Sequence, residues 1–309
     1  MKTSRLSTAV GVLVVITLMI PVVAAAQVRV EKNVIYGMFS GTALLMDVHY
    51  PARPNGFGII HVAGSGWFAT QDYSAVPLKD VLERSVPALL EAGYTIFSVT
   101  HRATPTFAYP IPVEDVQRAV RFVRQNAEKY NINPEYIGGV GGSSGAHLLS
   151  LMGTLEGSGN GADPDPANRQ SARLRCIAAR AAPLDLLRMA PTNVSDALAL
   201  FLGLRIVSQT QTEGSQGYRK AWMASPINHV TADAAPFLLI HGDADEAVPF
   251  KQSEMMEEAL HKVNVPAKLI RIPKGGHGPA FPGGQIPADL SAEIVRWLDT
   301  HLQKHASSR

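Results

Sequence analysis

The sequence predicts an α/β protein with a mostly parallel central sheet and helices on both faces. Short apolar runs alternate with longer amphipathic stretches, which is the pattern of strand–helix–strand units. Connections between them are short, and runs such as Phe57 to Val62 lack a polar face, as expected of strands covered on both sides. Finally, 46% of the 309 residues are hydrophobic and 17% charged, enough apolar material for one large core.

The first 26 residues differ in kind. Lys2 and Arg5 precede an apolar run from Ala9 to Val23, and Ala24-Ala25-Ala26 offers a small-residue cleavage site before Gln27. The expectation is a secretory signal peptide over 1–26, with an uncleaved anchor as the lesser alternative, and a periplasmic or secreted protein. No later segment reaches the ~18 apolar residues of a membrane helix. Lys plus Arg number 28 against 26 acids, and loss of Lys2 and Arg5 brings the two to balance. That leaves no basic footprint for nucleic acid or anionic lipid. The single cysteine, Cys176, lies in an apolar strand-like stretch and reads as an inert buried thiol.

From residue 27 onward the chain reads as one domain. Residues 28–36 and 42–50 are expected as an antiparallel strand pair at the sheet edge, turning at Ser40-Gly41. Leu44, Met46 and Val48 alternate with Leu45, Asp47 and His49, which gives one apolar face. A third strand spans 57–62. Helical spacing over 76–92 stops at Gly93, and 94–99 is a strand. An amphipathic helix follows over 113–130, directed inward by Val116, Ala119, Val120 and Val123. A strand from 136 enters a Gly-rich turn, and a helix leaves it to about Met152. Residues 155–172 are a polar surface loop, and Asp163 and Asp165 lack the spacing of a calcium site. Cys176 to Ala181 is a strand. Residues 186–224 show no strand periodicity and are expected as a small helical insertion over the core. Strands at 236–241 and 267–272 and helices at 250–262 and 290–304 complete the chain.

Reactive groups in such sheets collect beyond the carboxyl ends of the strands. Gly141-Gly142-Ser143-Ser144-Gly145 matches the G-x-S-x-G nucleophile elbow, centred on Ser143. An ordinary Gly/Ser loop fits the five residues equally well when they are taken alone. The strand at 236–241 leads into His241-Gly242-Asp243-Ala244-Asp245-Glu246, and the last strand into Gly275-Gly276-His277-Gly278. The order serine, acid, histidine suits a catalytic triad. Ser143 is the nucleophile and His277 the base that takes its proton. Asp245 is the first choice of acid to orient the imidazole, Asp243 the second and Glu246 the third. Ser144 N–H and backbone N–H groups of the Gly64-Ser65-Gly66 loop are the expected oxyanion donors. His147, on the emerging helix, reads as structural.

With these motifs in place, the chain resembles α/β-hydrolase esterases of the hormone-sensitive-lipase and feruloyl/acetylxylan-esterase-like groups over about residues 40–302. The likeness rests on Ala63-Gly64-Ser65-Gly66-Trp67 in the place of H-G-G-G-W, Pro112 to Val116 and GGSSGAHL at 141–148. It continues through Ser225-Pro226, HGDADEAVP at 241–249 and GGHG at 275–278. The resemblance implies an α/β-hydrolase fold, Ser143, Asp245 and His277 as the triad, and Ser65, Gly66 and Ser144 as oxyanion donors. Ala63 and Ser65 depart from the family's histidine and middle glycine. Trp67 is expected beside the acyl or leaving group, with a core position as its alternative.

The resulting expectation is a serine carboxylesterase that needs no metal or cofactor and acts on a small or polymer-linked ester. A prolyl-oligopeptidase-like peptidase shares the G-G-S-x-G elbow. A non-catalytic binding protein on the same fold is the third possibility, although such proteins typically lose the serine or histidine that this chain keeps.

Overall fold

The structure, a computed structural model, describes residues 29–68, 79, 85–189, 192 and 195–303. The expected leader lies outside the described residues, as does most of the helix expected over 76–92.

Eight strands form one sheet: β1 (Arg29–Phe39), β2 (Thr42–Tyr50), β3 (Gly58–Val62), β4 (Thr95–Val99), β5 (Ile137–Gly142), β6 (Ile177–Arg180), β7 (Phe237–Gly242) and β8 (Ala267–Ile272). Their spatial order is β1-β2-β4-β3-β5-β6-β7-β8. The first two junctions are antiparallel and all later ones parallel. This is the α/β-hydrolase arrangement, with the antiparallel strands gathered at one edge. β1 runs three residues beyond its expected end, through two register shifts that bend it along β2.

Among the described residues the α-helices are α1 (Val86–Glu91), α2 (Ile111–Gln125), α3 (Ser143–Thr154), α4 (Ser195–Leu202), α5 (Gln216–Met223), α6 (Lys251–Lys262) and α7 (Leu290–Leu298). None of them is long and apolar enough to cross a membrane. α2 stops five residues short of its expected end, and Asn131 turns the chain with φ +52°. The apolar residues of 126–132, such as Ala127 and Tyr130, are core contacts of that turn rather than further helical ones.

Both sheet faces are covered, as the continuous apolar strands require. On one face α2, α3, α4 and α6 supply Val116, Val120, Leu148, Phe201 and Met256. On the other, α1 and α7 supply Val86, Leu89, Ile294 and Leu298. Between β6 and β7, α4 and α5 pack over the first face. Cys176 is fully buried, and burial pushes its thiol far above the ordinary range.

Packing is tight where β5 turns into α3. A Cβ on Gly141 would sit 2.6 Å from the Val62 carbonyl oxygen, and one on Gly145 only 2.1 Å from it. Neither position has room for a side chain because α3 crosses directly over the end of β3. Gly145→Ala is therefore expected to destabilise the protein by about 3 kcal/mol or more, read as a lowered midpoint in urea unfolding. An unchanged midpoint would show that the crossing can relax.

Candidate active site

Ser143 stands at the end of β5 with φ +50°. A non-glycine residue held there costs about 1–3 kcal/mol, and the surrounding packing imposes it. The conformation lifts the side chain off the sheet at the start of α3, where the helix dipole favours negative charge.

Asp245 and His277 arrive on the loops after β7 and β8. Ser143 O–H donates to His277 Nε2 at 3.0 Å, and His277 Nδ1–H donates to Asp245 Oδ2 at 2.7 Å. An ionised carboxylate only accepts, so Asp245 fixes the proton on Nδ1 and leaves Nε2 as the acceptor facing Ser143. The other oxygen, Oδ1, accepts from the backbone N–H groups of Ala247 (2.9 Å) and Val248 (2.8 Å). Burial pushes the Asp245 pKa up, but hydrogen bonds from His241, His277 and Val248 N–H outweigh it. They hold the carboxyl well below the usual carboxylate range. Asp245 is therefore held as a carboxylate near neutral pH. The His277 side chain keeps 28% of its surface exposed and Asp245 none, so the imidazole meets solvent while its anchor stays dry.

The competing acids are placed elsewhere. Asp243 accepts from Arg271 Nε (2.7 Å) and Lys274 N–H (2.6 Å), bracing the two loops at the surface. Glu246 is exposed.

His241 is a neighbour that the sequence reading gave no role. It is fully buried, with Nδ1 accepting from Ser253 Oγ at 2.7 Å. Its Nε2–H points to the Val248 carbonyl at 2.9 Å, with Asp245 Oδ2 beside it at 3.4 Å. The signal was present as a strand-ending histidine four residues before the acid, but spacing alone does not show which way a ring turns.

Two expectations at the oxyanion loop are corrected. Ser65 N–H donates to Ser144 Oγ at 2.9 Å, so it is already committed and leaves the set of open donors. Ser144 N–H, in the first turn of α3, and Gly66 N–H have no partner of that kind among the described residues. Trp67 does not face a substrate. It is 2% exposed, stacks on Phe201 with centroids 4.4 Å apart, and donates from Nε1 to His147 Nδ1 at 3.1 Å. Its core alternative is the one the structure adopts, because the insertion closes over the ring. His147 in turn donates from Nε2 to the Ala224 carbonyl at 2.8 Å. Burial lowers its pKa to about 4, so it stays neutral as a structural link.

A groove of about 760 Å³ between β1 and α2 contains none of these residues. Its main charges are paired within it, Arg102 with Asp115 and Arg118 with Asp165. A smaller cavity, about 200 Å³, lies beside the His277 loop and is lined by Gly141, Arg180, Phe281 and Ile294.

A family model described as BD-FAE matches residues 46–260, more than half of the chain, from within β2 to within α6. The chain belongs to the BD-FAE family. The match takes in Ser143 and Asp245 and stops before His277. The probable carboxylic ester hydrolase LipM of Mycobacterium tuberculosis is 28% identical over 225 residues, 71% of this chain and 50% of the relative. The esterase LipQ of the same organism is 31% identical over 208 residues, 65% of this chain and 45% of the relative. The chain thus spans about half the length of these curated relatives. Among solved structures, a truncated carbohydrate esterase from gut microbiota superimposes with a TM-score of 0.75 at 27% identity, covering 91% of this chain and 98% of the other.

Proposed function

We propose that this BD-FAE chain is a serine carboxylesterase that cleaves short-acyl, aryl or sugar esters through an acyl-enzyme on Ser143. The reading rests on the unbroken relay Ser143–His277–Asp245, with contacts of 3.0 and 2.7 Å. In this mechanism Ser143 Oγ attacks the ester carbonyl carbon while its proton passes to His277 Nε2. The carbonyl oxygen becomes an oxyanion facing Ser144 N–H and Gly66 N–H, and such donors each contribute roughly 3 kcal/mol. His277 returns the proton to the departing alkoxide, which leaves as the alcohol. Water then gives a proton to His277 as its oxygen attacks the acyl carbon; the bond from that carbon to Ser143 Oγ breaks, His277 returns the proton to Ser143 Oγ, and the carboxylic acid leaves. Asp245 stays ionised throughout and stabilises the imidazolium.

The esterase names of LipM and LipQ support the bond type, and the likeness to a carbohydrate esterase favours a sugar ester. Among the described residues, the α-helices between β6 and β7 are the short α4 and α5, a compact cover that suits small acyl groups better than long lipid chains.

Ser143→Ala should abolish hydrolysis of p-nitrophenyl acetate with the fold intact, and retained turnover would contradict the assignment. In the wild-type protein, acetylated xylo-oligosaccharides and p-nitrophenyl acetate should be turned over faster than long-chain p-nitrophenyl esters or an aminoacyl-proline amide. A preference for the amide would instead favour the peptidase reading.

Export to the periplasm or medium belongs to the same proposal and is supported by Lys2, Arg5, the apolar run and Ala24-Ala25-Ala26. N-terminal sequencing of the exported protein should begin at Gln27. A protein that keeps Met1 and remains in the cytosol would contradict it.

A further inference from the structure

Ser144 is buried, with 1% of its surface exposed, directly after the nucleophile. Its neighbours explain why a hydroxyl is useful there. The 64–66 loop abuts the elbow so closely that a Cβ on Gly64 would lie 2.8 Å from the Gly142 carbonyl oxygen and 3.0 Å from Ser143 Cβ. At that approach Ser144 Oγ accepts the Ser65 N–H at 2.9 Å, joining residues 79 positions apart in sequence. Ser65 Oγ takes no part, being buried and without a hydrogen-bond partner among the described residues. The link is therefore from side chain to backbone and depends on the residue at 144, not on the side chain at 65. Immediately beyond it, Gly66 and Trp67 both adopt left-handed backbone, with φ +64° and +62°. The loop turns sharply there, and the Ser65 contact fixes where that turn begins.

We propose that Ser144 is a positioning residue: its hydroxyl oxygen clamps the 64–66 loop to the nucleophile elbow and thereby sets the distance between the two oxyanion donors, Ser144 N–H and Gly66 N–H. The inference rests on the esterase reading above. The clamp acts on the reaction only through the loop, since Ser144 Oγ itself is turned to Ser65 N–H and away from proton transfer. Releasing it leaves substrate binding in place and loosens the fit to the tetrahedral oxyanion. A hydrogen-bond donor displaced by about an ångström loses most of its worth to the transition state.

The test compares wild type with Ser144→Ala and Ser144→Cys on p-nitrophenyl acetate. Each variant is also titrated with phenylboronic acid, which forms a tetrahedral anionic adduct on the serine. Ser144→Cys keeps the side-chain volume close to native while accepting hydrogen bonds poorly, so it preserves the packing if the alanine variant fails to fold. Expected are a kcat lowered about tenfold, an unchanged KM, and a boronate inhibition constant raised by a similar factor in both variants. Melting temperatures near wild type would accompany this. A merely structural role would lower the melting temperature and leave the ratio of boronate affinity to KM untouched. Wild-type kcat and boronate affinity in a folded Ser144→Cys would overturn the clamp. Failure of the wild-type protein to hydrolyse the ester or bind the boronate would instead overturn the esterase reading.

Discussion

The structure depends on one steric constraint, the absence of space for a side chain where α3 crosses the end of β3. Gly141 and Gly145 both face the Val62 carbonyl, and a Cβ at Gly145 would come within 2.1 Å of it. Because the helix can lie this close, the chain between strand and helix has to reverse within a few residues. Ser143 takes the left-handed conformation at that reversal. The energy that holds it there comes from the buried faces of β5 and α3, which are among the most fully covered elements of the core. Strain at the serine and close packing at the glycines are thus two aspects of one geometry.

Around this fixed point the other groups are held by contacts of their own. Asp245 is anchored by two backbone N–H groups and His277, with His241 alongside, so its position does not rely on the histidine alone. On the opposite side, Trp67, His147 and the Ala224 carbonyl form a buried chain that connects the loop after β3, α3 and the end of α5. Phe201 stacks on Trp67 and ties α4 into the same cluster. The segment between β6 and β7 is consequently bound to the elbow helix through neutral hydrogen bonds and ring contacts. Burial lowers the His147 pKa to about 4 and keeps the ring uncharged near neutral pH, so this link is made by a neutral imidazole.

Much of this was legible in the sequence. All eight strands coincide with segments read there as strands, and β3 to β7 are the covered apolar runs, which need little beyond hydrophobicity and bounding turns. Ser143, Asp245 and His277 were legible because each follows a strand and the three occur in a meaningful order. What escaped were contacts decided by direction. Spacing cannot show that the Ser65 N–H points at Ser144, nor that Trp67 turns inward beneath Phe201. The place of His241 beside Asp245 follows from the loop at 243–248 folding back on the strand end, which composition does not encode. Helix ends also shifted, as in α2, where a core-facing turn carries apolar residues that mimic a continuing helix.

The central claim is that the elbow geometry makes Ser143, and not its neighbour Ser144, the activated nucleophile. Peptide mass mapping of the protein after brief treatment with a fluorophosphonate tests it most directly. A single stoichiometric adduct on Ser143, formed by displacement of fluoride, is expected. An adduct on Ser144, or an unmodified protein after prolonged exposure, would contradict it.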